Sequence, residues 1–187
     1  MNVYDFDKTV FRRESSFLFY RFCAGRHPRL WLRLPLAGLW GLLAALKLCS
    51  MKRFKEVLHG YLRSLSDTEE LLEAFWDRHE GEIPAWLPPL LPQGGLVISA
   101  SPEFLIAPLC RRLGLDYMGT RMDLRSGRIR GENCRGGEKP RRFRERYPEA
   151  AVSAFYSDSL ADTPMAELAE KAWLVKGDEL SPWPGRD

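Results

Sequence analysis

The chain has 187 residues, 45% of them hydrophobic, which suits one compact domain with a sizeable core and room for an inserted subdomain. Its net charge of +3 is a mild basic excess that does not by itself point to nucleic acid, and no nucleic-acid partner is expected. Cys23, Cys49, Cys110 and Cys134 are widely spaced with no CxxC pair, which suggests no zinc site and reads as free thiols in a reducing, cytoplasmic compartment. No signal peptide precedes the first motif.

In chain order, Asn2 to Phe6 reads as a short buried strand ending at two carboxylates, Asp5 and Asp7. These face opposite ways if the strand continues, and reach one pocket if the chain turns after Asp5. From about Ser15 to Glu80 the apolar spacing is helical, in "SSFLFYRFC", "RFKEVLHGYLRSL" and "DTEELLEAFWDRH". Ser66 or Asp67 is placed to cap the last of these, with Glu69 and Glu70 in its first turn. Within this region Leu34 to Leu46 is uncharged but falls short of the roughly 20 residues a bilayer span needs. Two readings stay open: a helix pair buried in the insertion, or an interfacial helix held by the basic residues of segment 26–55 as a peripheral membrane contact. "EIPAWLPPLLPQGG" reads as a linker.

Beyond the linker the pattern changes. "GLVISAS" is a strand ending in hydroxyl residues, and "PEFLIAPLCRRLG" a helix starting at Pro102 and stopping at Gly114. "YMGTRMDLRSGRIRG" predicts a hairpin turning at Ser126-Gly127. "GEKPRRFRERYP" is a short basic helix whose Arg141, Arg142, Arg144 and Arg146 read as a solvated face. "AVSAFYSDS" is a strand, "ADTPMAELAEK" a helix, "AWLVKG" a last strand, and "ELSPWPGRD" an at best partly ordered tail. Strands alternating with helices predict an α/β fold, a Rossmann-like parallel sheet whose sites lie at the strand carboxyl ends. The expected domains are a core of residues 1–11 and 91–187 and an all-helical cap, 12–90, inserted after the first strand.

Four groups carry the chemistry: "DFDKT", "SAS", "GEKP" and "SDSLAD". Gathering Asp5, Asp7, Asp158 and Asp162 in one cleft is costly without a cation. A hard divalent ion bound by oxygens solves this, and Mg²⁺ is the natural choice. His27, His59 and His79 match no metal-ligand spacing.

The order of these groups resembles the haloacid dehalogenase-like phosphatase superfamily. That family pairs a DxDx[TV] motif at the first strand with a Ser/Thr, a distant Lys and a paired acidic motif. "SDSLAD" is similar to the form found in the branch containing phosphoserine phosphatases. The resemblance implies that Asp5 is the nucleophile, passing through an aspartyl-phosphate, and that Asp7 is the general acid and base. It implies that Ser99 and Lys139 bind the phosphoryl oxygens, with Ser101 a rival hydroxyl or a helix N-cap. Mg²⁺ falls to Asp5, the Asp7 backbone carbonyl and Asp158. Asp162 supports the metal waters or Lys139, and Thr9 orients Asp7 or its loop. Glu14 lies where phosphoserine phosphatases carry a glutamate that meets the substrate's amino group. Lys8 and "SASPEF" depart from that branch. "YDFDKT" with "SASPEF" looks more like a neighbouring subgroup containing bacterial phosphatases for phosphatidylglycerophosphate. The expected substrate is therefore a small phosphorylated metabolite or a lipid phosphate, with phosphoserine or a phosphotransfer reaction as alternatives. A reading of another class is a peripheral membrane or regulatory binding module that kept the fold.

Overall fold

The strands run β1 (Asn2–Tyr4), β2 (Leu96–Pro102), β3 (Asp116–Thr120), β4 (Val152–Ser157), β5 (Ala169–Lys176) and β6 (Glu179–Pro182) in a computed structural model that describes residues 1–185. They form one sheet in the order β3-β2-β1-β4-β5-β6. All neighbours are parallel except β6, which runs antiparallel to β5. β1 therefore lies between β2 and β4, and the carboxyl ends of these three strands open at one place. That is where ligands bind in open parallel sheets.

Between β1 and β2 the chain forms α1 (Ser15–Arg26), α2 (Leu34–Ala45), α3 (Met51–Leu58) and α4 (Thr68–His79). α5 (Glu103–Arg112) follows β2, α6 (Glu138–Arg146) precedes β4, and the short α7 (Thr163–Ala166) precedes β5. Side chains alternate across the sheet with the period of two that a pleated strand imposes. Tyr4, Val97, Ala154 and Tyr156 face one buried cluster. Val3, Ile98 and Phe155 face the other, with Phe143 and Trp183. The first cluster also holds Phe19 of α1 and Phe75 and Trp76 of α4. Trp76 meets Phe11 edge-on at 5.1 Å and Phe6 at 5.8 Å, and its indole N–H donates to the Leu105 carbonyl at 2.8 Å. Thus α1 and α4 share the core of the sheet, and α2 and α3 form the outlying pair.

Several expectations are corrected. The first strand ends at Tyr4, because the chain turns at Asp5 to Lys8, where Lys8 takes φ +56°. The stretch "ADTPMAELAEK" is helical only to Ala166, and Ala169 to Lys171 already pair with β4. The tail is built into the sheet: β6 pairs with β5, and Trp183 is buried. Arg186 and Asp187 of that tail lie outside the described residues. Of the expected hairpin, the first residues form a parallel strand, β3, while the turn at Ser126-Gly127 stands: Met122 and Ile129 are bridged antiparallel, and the Asp123 and Arg130 N–H groups donate to the Arg128 and Arg121 carbonyls at 2.9 and 2.7 Å. The proline-rich connection is packed rather than loose. Leu87 is buried, and Trp86 stacks on Tyr156 at 5.1 Å. Arg142 is not on a solvated face. It is buried, donating to the Gly119 and Glu132 carbonyls at 2.7 Å each and pairing with Glu138. α2 is not buried either, since only Ala37 of its residues is enclosed. Asp67 stands at the N-cap of α4 but makes no side-chain cap bond. It meets His27 at 3.1 Å instead.

Candidate active site

The turn after β1 puts Asp5 and Asp7 on one cavity, about 750 Å³ in volume. Ser99 from β2, Lys139 from α6, and Asp158 and Asp162 from the segment after β4 line the same space, as does Glu14. The backbone fixes Asp5 by donating its N–H to the Tyr156 carbonyl at 2.8 Å, so β4 holds the first carboxylate directly.

Lys139 is the electrostatic centre. It is 1% exposed, and its ammonium contacts Asp5 Oδ1 at 2.7 Å and Asp162 Oδ2 at 2.6 Å. Burial works against its charge, but the two carboxylates more than offset this and raise its pKa. Burial pushes the Asp5 carboxyl up, Lys139 opposes that, and Asp162 adds to it. Asp162 also accepts from Ser157 Oγ at 2.8 Å.

Asp7 is held differently. Its Oδ1 accepts the Ser15 backbone N–H at 2.8 Å, and its Oδ2 accepts from Ser101 Oγ at 2.5 Å. Burial, then the Glu14 charge, push its pKa up to about 6 against those hydrogen bonds. Glu14 itself pairs with Lys8 at 2.9 Å, both side chains being more than half exposed. Ser99 is buried, and its Oγ accepts the Ser101 N–H at 3.0 Å. Thr9 makes a hydrogen bond to the other acidic segment. Its Oγ1 accepts the Asp158 N–H at 3.1 Å, tying the first turn to the one after β4.

The Asp158 carboxylate has no hydrogen-bond or ion-pair partner among the described residues. Burial and the neighbouring Asp5 push its pKa to about 6. The Lys8 charge opposes that rise without pairing directly, and a half-buried carboxylate with no ion pair, next to a second carboxylate, is the donor set a hard cation fits. No group of three His, Cys, Asp or Glu side chains converges on one point among the described residues. Mg²⁺ does not require one, because it keeps several waters and uses one or two carboxylates plus substrate phosphate oxygens.

Three neighbours escaped the sequence reading as partners of these groups. Ser15 holds Asp7 through its backbone, which no side-chain motif reports. Ser157 holds Asp162, and its hydroxyl at a strand end was a usable signal. Lys55 of α3 reaches across to the Ala100 carbonyl at 2.7 Å and Asn133 Oδ1 at 2.8 Å, and it lines the cavity. Burial lowers its pKa to about 8. Nothing in its local sequence predicts that reach.

Known proteins share part of this sequence, and others share its fold. A probable phosphatase of Mycobacterium tuberculosis is 38% identical over 92 residues, 44% of this chain and 32% of that protein. The matched segment thus spans about a third of the curated relatives' length. A Bordetella pertussis protein of unknown function superposes with a TM-score of 0.76 at 19% identity, covering 92% of this chain and 87% of its own. A probable phosphoserine phosphatase from Vibrio cholerae gives 0.66 at 13% identity, covering 91% and 55%. At such identities the structures share the fold alone. The family model for haloacid dehalogenase-like hydrolases matches residues 3–167. Both the match and the sheet with its carboxylates at the ends of β1 and β4 lead to one statement: this chain belongs to the haloacid dehalogenase-like hydrolase family.

Proposed function

We propose that the protein is a Mg²⁺-dependent phosphatase that hydrolyses a phosphomonoester through an aspartyl-phosphate on Asp5. The observation that carries this reading is the convergence of Asp5, Asp7, Ser99, Lys139 and Asp158, from four separate segments, on one cavity. Asp5 Oδ attacks phosphorus, and the bond from phosphorus to the leaving oxygen breaks. Asp7, with a pKa near 6, gives its proton to that oxygen. The Asp7 carboxylate then takes a proton from water, whose oxygen attacks the acyl phosphate and releases phosphate and Asp5. Lys139 and Ser99 meet the charge on the phosphoryl oxygens. A Mg²⁺ held by Asp5, Asp158 and the Asp7 carbonyl would supply further neutralisation of that charge. Asp162 positions Lys139, and Thr9 positions Asp158.

The helical segment 12–90 acts as the cap, and it supplies the far wall of the cavity. Phe17, Leu34, Ala37, Met51, Phe54 and Leu58 give that wall an apolar stretch beside the polar Glu14, Ser16, Lys55 and His59. It suits a phosphomonoester with an apolar body, a lipid phosphate, better than a small polar metabolite. A second reading, phosphoserine as substrate, rests on Glu14 at the cavity and on the likeness to a probable phosphoserine phosphatase. The free thiols of Cys23, Cys49, Cys110 and Cys134 fit a reducing cytoplasmic compartment.

The chemistry is tested with p-nitrophenyl phosphate. Turnover should need Mg²⁺ and vanish in Asp5→Asn with the circular dichroism unchanged. Undiminished turnover in that variant would sink the mechanism. A panel of phosphorylated metabolites, phosphoserine and lysophosphatidic acids, ranked by kcat/KM, decides the substrate class.

A further inference from the structure

The described residues expose nine large hydrophobic side chains, and seven of them fall between Trp31 and Leu48. Single exposed leucines are ordinary, but a cluster of this kind is a binding surface. α2 produces it. Its sequence, LPLAGLWGLLAA, contains no polar side chain, so the helix has no face suited to water. One side, with Leu34, Ala37 and Gly41, lines the cavity. Leu36, Leu39, Leu42 and Leu46 lie on the other side and are 52%, 54%, 57% and 59% exposed. Leu32 and Leu48, at 83% and 71%, extend the patch past both helix ends.

The patch has a charged rim of one sign. No Asp or Glu occurs between Glu14 and Glu56. Arg29, Arg33 and Lys47 are exposed and form no ion pair among the described residues. Twelve residues of α-helix reach about 18 Å, short of the roughly 30 Å hydrocarbon core. No helix is long and apolar enough to cross a membrane among the described residues.

We propose that the outer face of α2, rimmed by Arg29, Arg33 and Lys47, docks on the surface of an anionic phospholipid bilayer. The leucines enter the boundary between headgroups and acyl chains, and the cations meet lipid phosphates. Charge decides against a second copy of the chain as the occupant. A two-fold contact places the same patch against itself, so this rim would face like charge. In the docked orientation the opposite side of α2 still lines the cavity, about one helix diameter from the lipid.

The surface does not depend on the phosphatase chemistry and is tested by binding. The full chain is floated with vesicles of phosphatidylcholine alone or mixed with phosphatidylglycerol. Wild type should float with the mixed vesicles, weakly with phosphatidylcholine alone, and less as salt rises from about 0.1 M to about 1 M. Leu39→Ser/Leu42→Ser should cut the partition constant by about 100-fold or more. These leucines lie outside the cavity lining, so turnover of p-nitrophenyl phosphate in solution should be kept, which also shows that the variant is folded. Four results would overturn the proposal: no flotation with anionic vesicles, equal binding to both vesicle types, undiminished binding by the variant, or a dimer that the variant disperses without any vesicle binding. Flotation without turnover would leave the surface intact and remove only the catalytic reading.

Discussion

Lys139→Met separates the structural weight of the central ion triad from everything around it. Methionine has nearly the length and volume of lysine, so packing is largely kept while the charge goes. What remains is two carboxylates, with the Asp5 and Asp162 side chains 12% and 4% exposed. Asp162 would keep one neutral donor, Ser157 Oγ at 2.8 Å. Removing one partner from a buried pair costs about 3–5 kcal/mol, because the other is left uncompensated. With a urea slope of about 2 kcal/mol/M, the midpoint should fall by roughly 1.5–2.5 M. The assay is urea unfolding followed by fluorescence, with a chelator present so that no added cation takes the ammonium's place. The double variant Lys139→Met/Asp162→Asn removes one stranded charge and should recover about 1–2 kcal/mol relative to Lys139→Met. The reasoning fails if Lys139→Met loses less than about 1 kcal/mol, or if the second substitution adds its own loss with no recovery.

Three other perturbations probe separate parts of the structure. His59 is buried, and its ring pKa is pushed down by that burial from 6.5 to about 4. The unfolded chain then takes the proton first as pH falls. Stability should be full above about pH 6.5 and decline toward pH 4 by up to about 3 kcal/mol from this ring. Urea midpoints for wild type and His59→Gln at pH 7.5 and 5 check this, and equal pH slopes for the two proteins would contradict it. Ser101→Ala removes a hydrogen bond that holds the Asp7 pKa down. The limb of the pH–rate profile that Asp7 contributes should move up by about one unit, and a limb that stays put argues against Asp7 as the titrating group. Gly127→Ala forces a side chain into φ +66°, where its Cβ would lie 2.4 Å from the His59 carbonyl oxygen. A loss of at least about 2 kcal/mol is expected, read as a lower Tm, and an unchanged Tm would show that the loop simply moves away.

Much of the sheet was legible because buried parallel strands are written as apolar runs bounded by turns. "GLVISAS" and "AVSAFYSDS" each became a strand, and each delivered its hydroxyl or acidic residue to the cavity. The ends of elements were less legible. Ala169 to Lys171 look helical in isolation, but β4 offers them a parallel partner, and sheet pairing overrides local preference. The tail looked at best partly ordered because a four-residue edge strand carries little signal of its own. Its order comes from β5 and from the buried Trp183. In the site, the charged residues were foreseeable from four motifs, while their partners were not. The Ser15 N–H and the reach of Lys55 depend on where two helices sit, and no local motif encodes that.

α2 shows the same limit in sharper form. An amphipathic helix announces its buried side by the contrast between polar and apolar residues. LPLAGLWGLLAA has no such contrast, so hydropathy fits burial and interfacial exposure equally well. The resolving feature is side-chain size. Ala37 is enclosed, Gly41 brings the Phe54 ring to 3.3 Å from where a Cβ would stand, and both share one side with Gly38 along the cavity. Small residues permit that close approach, whereas Leu36, Leu39 and Leu42 would hold α3 away. In this helix Ala37 and Gly41 therefore mark the packed side together with Leu34, while Leu36, Leu39 and Leu42 mark the free one, a division that hydrophobicity alone does not suggest.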